Sequence, residues 1–231
     1  LHSFPTRRSS DLHIAAAVLD ACGRNVKIVF LCSPNNPTGN RLAHAELLQV
    51  IEATAGRAVV VVDEAYVEFA GTPSLARLLP QWPHLVVLRT LSKAYGLAGA
   101  RCGAVLADPD VIALVRRILP PYSIAQPTVE AVAKLLGPAQ VAAASARIAA
   151  LLAERERVAA ALAANPRVER AWPSDANFLL CTLRDVDRAL ERARAAGFLL
   201  RDMRHHAVLG AAVRITIGTP EQNDRLLEAL R

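Results

Sequence analysis

The chain has 231 residues, 53% hydrophobic and 21% charged, enough to bury a core in one large or two modest domains. No apolar run approaches the roughly 20 residues of a membrane-spanning helix, so a soluble, cytoplasmic chain with no membrane partner is expected. A net charge of +6 raises nucleic acid as a partner, yet the arginines are spread along stretches such as AERERVAAAL and aromatics make up 4%; the basic balance reads as a solvated surface, with no nucleic-acid partner.

The opening string LHSFPTRRSSDL (1–12) is polar, rich in Arg and Ser, and aperiodic. A transit-peptide fragment or an ordinary disordered tail would have this composition. The string also resembles, over its whole length, the conceptual translation of a sequencing-library adapter, and it is set aside as non-native. NVKIVFL (25–31) is a β-branched run closed by the dense turn signal SPNNPTGN. AHAELLQVIEATA (43–55) has helical apolar spacing. The apolar run 58–62 inside RAVVVVDEAY predicts a strand buried on both faces, as in a parallel sheet. HLVVLRT (84–90) and ARCGAVLAD (100–108) read as further strands of this kind, and PDVIALVRRIL (109–119) as a helix with Pro at its start.

PPYSIAQP then breaks the pattern, and residues 128–164 are mostly helical with an interruption at 137–138. Beyond NPRV the predicted elements are a strand at 177–183, a helix at 185–197 ending in Gly, strands at 198–202 and 212–218, and a closing helix. The fold class is α/β. Residues 13–138 form part of a larger domain with a mostly parallel sheet and flanking helices. Residues 139–231 form a smaller α+β domain that includes a bridging helix. Cys22, Cys32, Cys102 and Cys181 make no CxxC pair and read as reduced thiols.

Ligands of open α/β sheets bind beyond the carboxyl ends of the strands. Three polar clusters follow predicted strands: SPNNPTG, DEAY and TLSK. Asp63 follows four valines; it is either a cap at a strand end or a poorly solvated carboxylate held for a cation. Asn36 is good turn chemistry, Tyr66 a core aromatic, and Ser92–Lys93 a loop exit when each is read alone. Arg101 reads alone as a surface charge. The five coincidences at strand ends, taken jointly, point to a site. His205–His206 has metal-ligand types but only two adjacent members, and reads as a loop feature with no metal bound.

CSPNNPTGN, VVVVDEAYVEF, LRTLSKAYGLAGARCG, LLRD and VRITIGTPEQNDRLLEAL together resemble the fold-type I pyridoxal-phosphate-dependent aminotransferases, over residues 25–231. DEAYVEF and RITIGT tilt the likeness towards the branch that acts on histidinol phosphate. The resemblance implies pyridoxal 5'-phosphate as cofactor, with Lys93 as the catalytic amine that bonds to its aldehyde and moves the substrate proton. It implies Asp63 as the carboxylate that keeps the ring nitrogen protonated, and Asn36 and Tyr66 as donors to the ring oxygen. Arg101 and Ser92, with Thr90, would hold the cofactor phosphate. Arg214 would take a substrate carboxylate or its equivalent, and Arg201 the substrate phosphate. Asn177 would help position the cofactor.

The implied substrates are histidinol phosphate with imidazole acetol phosphate, and glutamate with 2-oxoglutarate, in histidine biosynthesis. The implied assembly is a homodimer. An aromatic or broad-range aminotransferase, a threonine-phosphate decarboxylase, or a non-catalytic sensing domain of the same fold are the alternatives. The family pattern also has an upstream Gly-rich phosphate loop and a ring-stacking aromatic that this sequence does not carry. Weak cofactor binding and an exposed apolar sheet edge are therefore expected of the 231-residue chain.

Overall fold

β-branched runs become strands and amphipathic runs become helices in the computed structural model, which describes residues 14–23 and 25–231. The adapter-like segment 1–12 lies outside the described residues. The chain divides into two units, one of 14–34 and Arg41–Ser145, the other of Asn35–Asn40 and Ala146–Arg231. Among the described residues no single helix is long and apolar enough to cross a membrane.

The first unit begins with helix α1 (Ile14–Ala21) and carries a four-stranded sheet in sequence order: β1 (Ile28–Cys32), β2 (Val59–Asp63), β3 (Leu85–Thr90) and β4 (Gly103–Ala107). β1, β2 and β3 are parallel and β4 is antiparallel to β3. Helix α2 (His44–Thr54) makes the crossover between β1 and β2. Its Leu47, Val50 and Ile51, with Ala15 and Val18 of α1, pack against Val29, Leu31, Val60, Val62, Leu85 and Val87 of the sheet. Each fully buried aliphatic side chain contributes about 1.5–3 kcal/mol of transfer free energy. Thr54 is buried in this face with its hydroxyl donating to the Val50 carbonyl at 2.7 Å, so that hydroxyl keeps a partner.

Helices α3 (Pro109–Ile118) and α4 (Gln126–Leu135) follow. Asp108 caps α3 by accepting from the Asp110 amide at 2.9 Å, and Pro109 occupies the first helical turn. Helix α5 (Pro138–Ala163) runs across the division of the chain.

The second unit has an antiparallel sheet of order β5-β6-β8-β7, made of β5 (Val168–Ala171), β6 (Phe178–Leu183), β7 (Arg201–Asp202) and β8 (Ala212–Thr216). Leu179, Cys181, Val213 and Ile215 on one face pack with Val158 and Leu162 of α5, Ala193 of α6 (Val186–Ala195) and Leu226 of α7 (Pro220–Ala229). Helix α7 starts in a reciprocal capping box between Thr219 and Gln222.

Three sequence expectations need correction. The run at 100–108 is an antiparallel edge strand with an exposed first half, where burial on both faces is expected. Only a 3-10 turn at Ala98–Ala100 lies between β3 and β4, with no α-helical crossover to return the chain in the parallel sense. The strand expected at 198–202 shortens to two residues, and Leu199 before it is 87% exposed. β5 is a strand that apolar patterning passes over, because its middle residues are Glu169 and Arg170. On edge strand β1, Ile28 and Phe30 are 53% and 60% exposed on one face, while Val29 and Leu31 on the opposite face are buried.

Candidate active site

Because β1, β2 and β3 are parallel, their carboxyl ends lie at one end of the sheet, where Cys32 pairs in register with Asp63 and Asp63 with Leu88. Antiparallel β4 begins at the same end, with Gly103 opposite Thr90. The segments leaving β2 and β3 and the one entering β4 therefore converge, and they carry Asp63, Tyr66, Thr90, Ser92, Lys93 and Arg101.

Asp63 is half-buried, and its carboxylate accepts from the Ala65 amide at 2.9 Å, a turn that redirects the chain from strand to loop. Tyr66 is buried at the entrance of the 3-10 turn Val67–Phe69. The Lys93 ammonium lies 5.5 Å from the centroid of the Tyr66 ring, within cation–π range. The Thr90 hydroxyl accepts from the Ser92 amide at 3.1 Å and donates to the Ser92 hydroxyl at 2.9 Å, so two hydroxyls are held side by side on the segment that leads directly into Lys93. The loop closes on itself through Leu97 N–H to Leu91 O at 3.0 Å and is joined to the β4 side by Leu91 N–H to Cys102 O at 3.2 Å.

Arg101 has φ 51°, in the left-handed region that non-glycine residues seldom enter. Its guanidinium donates to the Ala98 carbonyl at 3.0 Å and is exposed. Gly103 is required by close approach: a Cβ there would meet the Arg89 carbonyl oxygen at 2.8 Å. Cys32, on the exposed face of β1 beside Asp63, has its thiol pKa raised, first by partial loss of solvation around the sulfur and then by the Asp63 charge. Burial pushes that of Cys181 up to about 12. All four cysteines are free, as the absence of pairing in the sequence suggests.

In the second unit, Arg214 of β8 donates to the Asn36 side-chain oxygen at 2.5 Å and lies 5.0 Å from the Phe178 ring centroid. Arg201 of β7 pairs directly opposite Arg214. Two arginines thus occupy facing register positions on one side of a sheet, a placement in which like charges are unfavourable. The Asn177 carbonyl accepts from Ile217 N–H at 3.0 Å. His205 and His206 have ring centroids 4.1 Å apart, and no group of three or more metal-ligating side chains comes together among the described residues.

Sequence reasoning missed three residues at the sheet end: Gly103, the buried Glu64 and its partner Arg89. A residue pair of opposite charge, each one step from a named site residue at a strand end, is the signal that would have found the last two.

A mostly parallel α/β sheet that presents a lysine, a carboxylate, hydroxyls and an arginine where its parallel strands end has the layout of a ligand-binding α/β domain. Residues 2–230 match the model of the family described as aminotransferase class I and II, and the chain belongs to that family. It is 48% identical over 215 residues to the histidinol-phosphate aminotransferase of Stenotrophomonas maltophilia, covering 93% of this chain and 59% of that protein. It is also similar to the structure of an L-threonine-O-3-phosphate decarboxylase from Porphyromonas gingivalis, with TM-score 0.79 and 27% identity over 88% of this chain and 63% of that one. A histidinol-phosphate aminotransferase from Sinorhizobium meliloti, solved with pyridoxal-5'-phosphate, shares the fold at TM-score 0.80 and 24% identity, over 94% of this chain and 59% of that one. The chain spans about three fifths of the length of the curated relatives it matches.

Proposed function

We propose that the chain is the greater part of a transaminase that moves an amino group between L-histidinol phosphate and 2-oxoglutarate, giving imidazole acetol phosphate and glutamate, with pyridoxal 5'-phosphate as cofactor in a homodimer. The observation that carries this reading is the placement of Lys93 on the loop leaving β3 while Asp63 ends the adjacent parallel strand. The 48% identity to an enzyme of that name supports the substrate.

The donor set fits a phosphorylated pyridine aldehyde. The Thr90 and Ser92 hydroxyls and the Arg101 guanidinium suit the phosphate, and the left-handed backbone at Arg101 is the strained conformation expected where function sets the geometry. When bound, the cofactor supplies an aldehyde for the amino group and a protonated ring that withdraws electrons. Asp63 holds the proton on the ring nitrogen by its negative charge. Tyr66 donates to the ring oxygen. Asn36 can do the same, since its oxygen accepts from Arg214 and its NH2 group keeps two donors. The Lys93 amine would take the proton from the substrate Cα and deliver it to the cofactor's aldehyde carbon, two bonds away. Arg214 and Arg201 bind the anionic ends of the two substrates, the carboxylate of the keto acid and the phosphate of the amino alcohol.

The test is absorbance of the protein expressed from its complete reading frame with pyridoxal phosphate, with and without histidinol phosphate, beside Lys93→Ala. A cofactor band that shifts with histidinol phosphate and disappears in the variant is expected. A band answering only to other amino donors, threonine phosphate among them, moves the substrate assignment. The lack of any Lys93-dependent band overturns the enzyme reading.

A further inference from the structure

We propose that Glu64, Arg89 and Glu68 form a positioning device that sets the Asp63–Tyr66 segment against the Thr90–Lys93 segment; the proposal rests on the cofactor reading above. Side chains alternate along a strand. Asp63, Leu88 and Thr90 therefore face one side of the sheet end, and Glu64 and Arg89 face the other. The strand ends are joined in the backbone by Glu64 N–H to Leu88 O at 3.0 Å.

Glu64 is 3% exposed and its carboxylate is fully used. It accepts from the Leu75 amide at 2.7 Å and the Ser74 hydroxyl at 2.5 Å, and an Arg89 nitrogen stands 3.7 Å away. Arg89 also donates to Glu68 at 2.7 Å, in the 3-10 turn that Tyr66 opens. The Arg89 Nε is buried without a hydrogen-bond partner, so the guanidinium is held through its two carboxylates. One arginine thus spans from the strand that leads to Lys93 to both sides of Tyr66. The Lys93–Tyr66 approach of 5.5 Å is made on loops that this network braces from behind. None of the three residues belongs to the set assigned to cofactor or substrate, and their effect passes through Tyr66, Asp63 and Lys93.

The test uses the protein from its complete reading frame with Glu64→Gln, Arg89→Met and Arg89→Lys. Three readouts are taken: pyridoxal phosphate affinity by absorbance titration, the pH midpoint of the bound-cofactor band, and the thermal midpoint without cofactor. Outer partners that orient binding groups cost on the order of 10- to 100-fold when removed. Glu64→Gln and Arg89→Met are expected to weaken cofactor affinity on the order of ten-fold and to shift the pH midpoint, and Arg89→Lys to recover part of both. Folded Glu64→Gln or Arg89→Met protein with wild-type affinity and wild-type pH midpoint overturns the positioning role. If Arg89→Met fails to fold, the Gln variant still decides it. A wild-type protein that takes up no cofactor through Lys93 instead overturns the function reading, and this role with it.

Discussion

Arg201→Gln is expected to change stability and substrate recognition in opposite directions. Arg201 and Arg214 are directly opposed on β7 and β8, and neither makes an ion pair among the described residues. Opposed Cβ atoms lie about 4.5–5.5 Å apart. With the guanidinium groups splayed to about 7 Å, repulsion is about 0.6 kcal/mol at the dielectric of water. Removing one charge should therefore raise the thermal midpoint of the ligand-free protein by about 1–2 °C. The gain should shrink in 1 M salt, where the screening length is about 3 Å. Loss of a hydrogen bond to a charged group costs about 1.5–3 kcal/mol. KM for histidinol phosphate should rise about 10- to 150-fold, with little change for 2-oxoglutarate if Arg214 takes its carboxylate. Calorimetry and steady-state kinetics on the same preparation read both effects. A variant that is less stable, with an unchanged KM for the phosphorylated substrate, refutes the anion-site reasoning and leaves Arg201 a surface charge.

Arg101→Gly should raise stability while weakening the cofactor, because glycine relieves a left-handed backbone that costs another residue about 1–2 kcal/mol. A thermal melt without cofactor and a titration with pyridoxal phosphate check the two signs; a drop in both places Arg101 in the fold alone. In the second unit, the Glu154 carboxyl is held below its usual range by hydrogen bonds from Arg157 and then Asn223. A depressed folded-state pKa means stability present above the ordinary glutamate range and lost as pH falls through the folded value. Glu154→Gln should accordingly flatten the loss of stability on acidification below that range, and denaturant melts across the acid range give the slopes. Equal slopes for the two proteins remove Glu154 from the acid response.

The legible parts of the fold were those whose burial is one-dimensional. Val59–Val62 reads as a two-faced strand because both faces are covered, and its pattern needs no knowledge of its neighbours. β4 has the same apolar composition, yet its direction depends on what connects it to β3, and a 3-10 turn cannot carry a parallel crossover. The site follows the same division. Asp63 closes β2, and Ser92 and Lys93 lie in the short segment leaving β3, so strand assignment alone locates them. The Asn36–Arg214 bond joins residues 178 apart, and the opposition of Arg201 to Arg214 is a matter of register, which no local pattern determines. Glu64 and Arg89 fall between these cases. Alternation along β2 and β3 already implies that the neighbours of Asp63 and Thr90 face away from the site. What the sequence leaves open is that the two meet, and that follows only once β2 and β3 are known to be adjacent and parallel in this register. The residues that hold the site in place thus depend on pairing, and those that face the ligand depend on position along a strand.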